Sequence, residues 1–371
     1  MKILLIITRA DAVGGAQLHV RDLAVRLRKD DHQVSVLTGV RGKYNDLLEQ
    51  NGIPNIACPT FNNNINPVED WHTLSFIKQT ISKFKPDLVA THSSKAGILG
   101  RWASHQSKVP CVFTAHGWSF TEGIPEPKRT IYQLLEHWAA KFTDRIICVS
   151  EYDRQLGIKA GIEPNRLVKI HYGISDISPK LIASPGHGNP VRIVMVARFE
   201  PQKDHRTILM ALQTLKEVEL DLLGDGPEME TYTTMARELG IADRIKFLGF
   251  CSNVTERLTQ YQIFALITNW EGFPISTLEA MRAGLPTVVS DVNGCSEAII
   301  EGETGYCIPQ GDVDTLRTRL RTLITDSELR IKMGQLARQR YEKEYTFEKM
   351  YQHTIETYQD ALKSSPNIIN T

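Results

Sequence analysis

The sequence predicts an α/β protein with two doubly wound, Rossmann-like domains. Short apolar runs typical of buried strands alternate with amphipathic helical stretches over residues 1–178, and the same alternation returns over residues 188–349. At 371 residues the chain is too long for one ordinary hydrophobic core. A stretch rich in Pro, Gly and Ser, residues 175–190, separates the two halves, and we place the interdomain linker there.

Each half supplies its own set of predicted elements. The strands of the first half are expected at residues 2–7, 33–38, 88–91, 111–114 and 146–149, and its helices at about 16–29, 74–84, 95–104 and 128–142. The second half has predicted strands at 192–196, 220–223, 245–248, 264–267 and 287–290, and helices at about 207–216, 229–239, from 276, and over 312–340 and 347–363. We expect the C-terminal helix, about 350–364, to pack back on the first domain, and residues 367–371 to form a frayed tail. Two such domains would face each other across a cleft at the carboxyl ends of their strands, where parallel sheets bind ligands.

Composition excludes several classes of protein. The 43 basic residues balance 43 acidic ones, so the overall charge indicates no nucleic-acid partner. Six widely spaced cysteines without a C-x-x-C pair predict buried reduced thiols rather than disulfides or metal ligands. No apolar run approaches the roughly 20 residues of a membrane-spanning helix, and the first run lacks the features of a signal peptide. We expect a cytoplasmic protein, and leave open a peripheral position at the inner face of the cell membrane.

The most informative stretch, residues 266–291, is a predicted strand–helix–strand unit with Glu271 in its first loop. A carboxylate at the carboxyl end of a parallel strand lies where ligands bind and can accept hydrogen bonds from hydroxyl groups. Glu279 follows eight residues later, and a capping box with Ser276 is its simpler explanation. Backbone N–H groups near the start of the helix offer an anion site, at Phe273, Ile275, Ser276 and Thr277. A ligand with both hydroxyls and phosphate, such as a nucleotide-sugar, fits this combination.

Other predicted strand ends carry further candidates. Gly14-Gly15 follows the first strand, although such a pair is more often a tight turn than a phosphate cradle. Arg198 and Lys203 share one strand-exit loop and can converge on a diphosphate, while a solvated surface is the alternative. His116 ends the strand 111–114 and would face Glu271 across the cleft, unless it is a structural histidine.

Candidates for the acceptor side lie in the first half. His92 and Lys95 follow the strand 88–91, and a helix cap by Ser93 or Ser94 explains part of that motif. Glu122 lies in the loop 118–123, whose aromatic residues offer a stacking surface suited to a sugar.

These motifs together resemble retaining glycosyltransferase family 4, whose members have the GT-B fold. The resemblance spans nearly the whole chain and rests on Gly14-Gly15, His116-Gly117, Val149-Ser150-Glu151, Arg198 with Lys203, Gly224-Asp-Gly-Pro227 and the pair Glu271 and Glu279. It implies an acceptor-side first domain and a nucleotide-sugar-binding second domain.

The resemblance also implies residue roles. Glu271 and His116 would contact the donor sugar and Glu279 the ribose, while Arg198 and Lys203 would neutralise the diphosphate without a metal ion or other cofactor. The remaining implied donor contacts are Gly14, Gly15, Gly249, Phe250, Gly272, Phe273, Pro274, Ile275, Ser276 and Thr277.

The implied reaction moves a hexose, expected from UDP-glucose, to a saccharide or lipid-linked acceptor, as in bacterial enzymes that build capsular polysaccharides or exopolysaccharides. Two alternatives stay open: a GT-B enzyme such as a nucleotide-sugar epimerase, and a non-catalytic nucleotide-sugar-binding subunit of a polysaccharide-assembly complex. The basic helices at 128–142 and 76–85 would suit peripheral membrane contact, or are simply solvated faces.

Overall fold

The computed structural model describes residues 1–364, and the tail predicted at 367–371 lies outside them. The chain forms two compact units. Unit 1 comprises Met1–His171 and the C-terminal segment from Tyr351, and unit 2 comprises Tyr172–Met350. Each contains one parallel sheet, so the predicted α/β class with two doubly wound sheets is confirmed. The predicted domain limits stay predictions.

Unit 1 is built on a seven-stranded parallel sheet. Its strands are β1 (Lys2–Ile7), β2 (Gln33–Thr38), β3 (Asn55–Ala57), β4 (Leu88–His92), β5 (Cys111–Ala115), β6 (Arg145–Cys148) and β7 (Leu167–Lys169). Its helices are α1 (Gly15–Lys29), α2 (Lys43–Gln50), α3 (Pro67–Phe84), α4 (Ser94–Gln106), α5 (Lys128–Ala140) and α6 (Glu151–Lys159). The strand order is β3-β2-β1-β4-β5-β6-β7, so the winding reverses between β1 and β4.

Unit 2 repeats this plan with six parallel strands. They are β8 (Val191–Val196), β9 (Val218–Leu223), β10 (Ile245–Gly249), β11 (Ile263–Leu266), β12 (Thr287–Ser290) and β13 (Gly305–Ile308). The helices are α7 (His205–Leu212), α8 (Met229–Glu238), α9 (Val254–Leu258), α10 (Ile275–Arg282), α11 (Val313–Thr325), α12 (Ser327–Glu344) and α13 (Phe347–Ser364), which continues from unit 2 into unit 1. The order β10-β9-β8-β11-β12-β13 reverses between β8 and β11.

The strands form because their apolar residues are buried on both faces of each sheet. In β1, Ile3–Ile7 are almost completely buried, and right-handed crossovers place α3–α6 on one face of that sheet and α1 and α2 on the other. All six cysteines are free, as expected, and four of them are buried. No helix within residues 1–364 is long and apolar enough to cross a membrane.

Several predicted elements need correction. The single helix expected over 312–340 is two helices, because Asp326 ends α11 and its side chain caps α12 by accepting from the Leu329 N–H at 2.9 Å. The prediction missed β3, β7 and β13, which have only three or four residues each. The expected linker packs within unit 2, where the Ala183 N–H donates to the Ala283 carbonyl at 2.8 Å.

Candidate functional site

The reversal point of the unit 2 sheet brings together the loops that follow β8 and β11. These strands are neighbours, with Ile263 opposite Ile193. Beyond the strand ends, the Asp204 N–H donates to the Ile267 carbonyl at 3.0 Å and the Asn269 N–H donates to the Gln202 carbonyl at 2.8 Å. Because ligands of open parallel sheets bind at such a reversal, these joined loops form the candidate donor site.

Lys203 and Glu271 form an ion pair between the two joined loops. Their side chains are only 14% and 10% exposed, and the Thr268 hydroxyl lies 3.3 Å from the same carboxylate oxygen, Oε1. Burial lowers the pKa of Lys203 to about 8, while contact with the Glu271 carboxylate favours the protonated amine. Lys203 and Glu271, which were expected to bind different parts of the donor, are therefore paired with each other.

Arg198 lies on the same loop as Lys203 but has a different environment. Its side chain is half exposed and pairs with Glu200 at 2.8 Å. The positive charge of Arg198 also contributes to the lowered pKa of Lys203, after burial. Both cations therefore follow β8, as the sequence indicates, and their convergence on a diphosphate stays a prediction.

Helix α10 begins one residue earlier than expected, so the capping box at Ser276 is wrong. Pro274 occupies the N-cap position and provides no side-chain cap. Glu279 lies on α10, where burial raises the pKa of its carboxyl and the nearby Arg282 opposes this shift. Thr277, in the first turn, has a buried hydroxyl with no hydrogen-bond partner. The N-terminus of α10 therefore offers its backbone N–H groups and one uncommitted hydroxyl to an anion.

Asn293 also belongs to this candidate site, although it is not among the residues predicted from the sequence. Its Oδ1 accepts from the Glu271 N–H at 3.3 Å, and its buried Nδ2 has no partner. Asn293 has a left-handed backbone with φ of 47°, which an Asn-Gly dipeptide tolerates well. That dipeptide, which begins three residues after the end of β12, was the available signal.

A glycine turn brings a third strand end to the same edge. Gly224 has φ of 147°, and a Cβ on it would lie 2.0 Å from the Ala197 carbonyl oxygen. Only glycine allows this close approach of the β9 and β8 exits. Gly249, the last residue of β10, has φ of 64°. The next residue, Phe250, is exposed, so its ring is accessible to a nucleotide base.

Three histidines gather at the carboxyl edge of the unit 1 sheet. His92 Nδ1 and His116 Nε2 lie 3.1 Å apart, and the His19 ring centroid is 5.4 Å from that of His116. Burial lowers the pKa of His19 to about 4 and those of His92 and His116 well below the ordinary value. The cluster is therefore neutral at pH 7 and suited to hydrogen bonds with hydroxyl groups.

The other unit 1 candidates are close to that cluster in sequence. Gly14 is the N-cap of α1 and donates its N–H to Gln17 Oε1 at 3.2 Å, and Gly15 begins the helix. Lys95 is committed to Asp70 at 2.6 Å, and Glu122 is exposed.

Two expectations for this half are wrong. Ser93 gives α4 no side-chain cap, because its hydroxyl lies 3.0 Å from that of Thr8 on the neighbouring β1 exit. Trp118 and Phe120 are buried in the core, and the Trp118 indole donates to the Asp153 carbonyl at 2.7 Å, so they offer no stacking surface.

Within residues 1–364 no group of three or more His, Cys, Asp or Glu side chains is arranged to hold a metal ion. An Asp-x-Asp spacing does occur, at Asp312 and Asp314. Asp312 caps α11 by accepting from the Thr315 N–H at 2.9 Å, and Asp314 pairs with Arg317. The first carboxylate thus caps α11 and the second forms an ion pair along the same helix.

Comparisons with known proteins identify the family to which the two halves of the chain are similar. Residues 13–176 match the family model described as Glycosyltransferase Family 4, and residues 178–340 match Glycosyl transferases group 1. The UDP-Gal:alpha-D-GlcNAc-diphosphoundecaprenol alpha-1,3-galactosyltransferase of Escherichia coli is 29% identical over 329 residues, which cover 82% of this chain and 83% of the relative. Putative glycosyltransferase EpsD of Bacillus subtilis (strain 168) is 29% identical over 298 residues, covering 74% and 77%.

Solved structures show the same fold. Anabaena Alr3699/HepE in complex with UDP-glucose superimposes with a TM-score of 0.85 at 23% identity, covering 97% of this chain and 99% of that one. The sucrose-phosphate synthase of Thermosynechococcus elongatus gives a TM-score of 0.84 at 17% identity, covering 98% and 100%.

Proposed function

Because the chain belongs to glycosyltransferase family 4, we propose that it transfers glucose from UDP-glucose to a saccharide or lipid-linked saccharide in polysaccharide biosynthesis. The transfer would retain the anomeric configuration and need no metal ion. A cytoplasmic location, with the acceptor presented at the inner face of the membrane, completes the proposal.

The observation that carries the proposal is the buried Lys203–Glu271 pair at the sheet reversal of unit 2. Two opposite charges there match the two halves of a nucleotide-sugar, since the cation suits the diphosphate and the carboxylate suits the sugar hydroxyls. The uncommitted buried groups of Thr277 and Asn293 add donors for oxygen atoms of the ligand. We propose that donor binding exchanges the internal pair for these ligand contacts.

The chemistry that follows is electrostatic. When the bond between the sugar C1 and the diphosphate oxygen breaks, negative charge builds on the leaving phosphate. Lys203, with help from Arg198 and the α10 N–H groups, would stabilise that charge from fixed positions. The acceptor oxygen forms the new bond to C1 on the face from which the diphosphate leaves, and its proton passes to a leaving phosphate oxygen.

His116 would serve this reaction as a neutral hydrogen-bonding group. Burial holds its pKa well below the ordinary value, so it carries no charge toward the sugar at pH 7. A neutral imidazole can orient a donor hydroxyl without competing with Lys203 for the diphosphate.

The name of one relative bears on both the acceptor and the sugar. The Escherichia coli relative is named for transfer of galactose to a diphosphoundecaprenol-linked sugar, which supports a lipid-linked saccharide acceptor. The same name makes UDP-galactose the main competitor of UDP-glucose as donor.

Calorimetry with UDP, UDP-glucose, UDP-galactose and UDP-N-acetylglucosamine, in the presence of a chelator, tests the proposal. We expect UDP to bind without metal and UDP-glucose to be hydrolysed slowly without an acceptor. Conversion of one UDP-sugar into its epimer would instead identify an epimerase. A folded protein that binds no nucleotide would refute the donor site.

A further inference from the structure

Tyr345 contacts both of the loops that follow β11 and β12 in the candidate donor site. It is the C-cap residue of α12, and its ring packs against that of Phe273, with the two centroids 5.5 Å apart. Its hydroxyl donates to the Glu297 carbonyl at 3.3 Å. Phe273 lies two residues beyond Glu271 in the loop after β11, and Glu297 lies four residues beyond Asn293 in the loop after β12. One side chain therefore connects two loops that carry candidate ligand groups.

The contacts of Tyr345 with these loops are buried. Tyr345 is 1% exposed and Phe273 is 3% exposed, so neither ring can move without disturbing its neighbours. Arg340, which lies on α12, donates to the Glu297 carbonyl at 2.9 Å and to the Tyr345 hydroxyl oxygen at 3.2 Å. Burial raises the pKa of Tyr345 above its ordinary value, so the hydroxyl keeps the proton that it donates to Glu297. The loop after β12 is thus fixed to the end of α12 by two donors on one carbonyl.

The main chain of Tyr345 joins the two ends of unit 2. Its carbonyl accepts from the Ile174 N–H at 3.1 Å, and the Phe347 N–H donates to the Ile174 carbonyl at 2.9 Å. The neighbouring Gly173 lies so close to this segment that a Cβ on it would be 2.2 Å from the Thr346 carbonyl oxygen. All five residues belong to unit 2, near its first and last residues. A displacement of Tyr345 would therefore change these hydrogen bonds as well as the donor loops.

We infer that Tyr345 is a positioning residue for the donor, and that donor binding reduces the opening of the hydrogen bonds between the two ends of unit 2. The Glu271 carboxylate, the N-terminus of α10 and the Asn293 amide lie on elements that Tyr345 connects, so their spacing depends on its ring and hydroxyl. The side chain is too buried to be a ligand group itself, and its effect passes through Phe273 and Glu297. A ligand that orders these loops also restricts Tyr345, and through its carbonyl the paired segment. The inference rests on the proposed function, because it takes UDP as part of the ligand.

A second buried tyrosine of unit 2 provides the comparison for a purely structural role. Tyr261 is fully buried and donates its hydroxyl to Asp221 Oδ2 at 2.7 Å. It precedes β11 at the amino end of the strand, whereas the donor loops follow the carboxyl ends. The neighbouring Gln262 N–H donates to the Arg192 carbonyl at 2.9 Å and supplies a control amide. Loss of either tyrosine side chain should destabilise unit 2, but only the loss of Tyr345 should affect the donor.

Calorimetry with UDP tests the positioning role in Tyr345→Leu, Tyr345→Phe and Tyr261→Leu, each shown by circular dichroism to be folded at the temperature of the titration. We expect Tyr345→Leu to raise the Kd for UDP about tenfold, because the loops lose both the ring and the hydroxyl. Tyr345→Phe keeps the ring and should raise the Kd about threefold at most, and Tyr261→Leu should leave it unchanged. Phe273→Leu removes the ring contact from the other side, and it replaces Tyr345→Leu if that variant does not fold.

Amide hydrogen exchange of the full chain, with and without saturating UDP, tests the link to the paired ends of unit 2. UDP should slow exchange at Ile174 and Phe347 severalfold more than at Gln262, because the ligand restricts the segment that Tyr345 joins. Tyr345→Leu saturated with UDP should lose this difference. A residue that only stabilises the fold would not make these amides respond to the ligand.

Unchanged UDP affinity in Tyr345→Leu and Phe273→Leu would overturn the positioning role, and so would an equal rise in Kd for Tyr261→Leu. Equal slowing of exchange at Ile174 and Gln262 would overturn the link to the paired ends. A native chain that binds no UDP would refute the proposed function and this inference together, whereas UDP binding that does not depend on Tyr345 would refute the inference alone.

Discussion

Lys203→Met should destabilise unit 2 by leaving the Glu271 carboxylate buried without its cation. Breaking a buried ion pair in this way costs about 3–5 kcal/mol. Protonation of the carboxylate limits the cost, because neutralising a glutamate of ordinary pKa at pH 7 takes roughly 3.7 kcal/mol. Since the two side chains retain 14% and 10% exposure, we expect about 3 kcal/mol at pH 7 and about 1 kcal/mol at pH 5, where protonation is easier.

The same substitution should weaken donor binding. A hydrogen bond to a charged group contributes about 1.5–3 kcal/mol, so the Kd for UDP should rise roughly 10- to 150-fold. The double variant Lys203→Met/Glu271→Gln should recover most of the lost stability, since no unpaired charge is then buried, but none of the lost affinity.

Urea unfolding at pH 5 and pH 7, together with calorimetry of UDP binding, measures both effects. Lys246→Met is the control, because Lys246 pairs with Glu219 at 3.1 Å on the surface and should change the free energy of unfolding by less than about 1 kcal/mol. If Lys203→Met behaved like this control in both assays, the Lys203–Glu271 pair would contribute neither to the stability of unit 2 nor to UDP binding, which would refute this prediction.

Three further predictions concern charge and hydrogen bonding. UDP affinity should fall above about pH 8 by up to about tenfold per pH unit, as Lys203 loses its proton, and calorimetry from pH 6 to 10 would contradict this if affinity stayed constant. Arg101→Met should cost about 3–5 kcal/mol in urea unfolding, because it leaves the fully buried Glu136 unpaired, and Arg101→Met/Glu136→Leu should recover most of it. His92→Phe should lower kcat at least tenfold by releasing His116, whereas His92→Asn, which can still hydrogen-bond, should retain more activity; equal rates in the two folded variants would rule out this positioning role.

The fold was largely predictable because most strands have apolar residues that are buried on both sides of a sheet. β1, β2 and β12 have the predicted limits, because buried apolar residues mark each of them in the sequence. β3 and β7 are too short and too exposed to give that signal, because they lie at the two edges of the unit 1 sheet. Edge strands depend on pairing with a neighbour, which the local sequence does not encode.

The site was predictable in its loops but not in its contacts. Alternating strands and helices place Lys203 and Glu271 at strand ends, yet their pairing needs β8 beside β11, and 68 residues separate the two side chains in sequence. Asn293 enters the site only through the β12 exit, where a positive φ turns its amide toward Glu271. Such contacts follow from strand order, which a pass along the chain does not supply.

The Lys203–Glu271 pair and the histidine cluster differ in charge, and this difference suits the proposed transfer reaction. The edge of unit 2 carries Lys203 and Glu271 as a buried ion pair, whereas the edge of unit 1 carries histidines that burial keeps neutral. A cation beside the histidines would compete for the diphosphate, and a second carboxylate would repel it. Neutral imidazoles do neither, while still binding hydroxyl groups. In the proposed reaction, Lys203 would therefore bind the leaving group, and the neutral histidines would orient the sugar by hydrogen bonds.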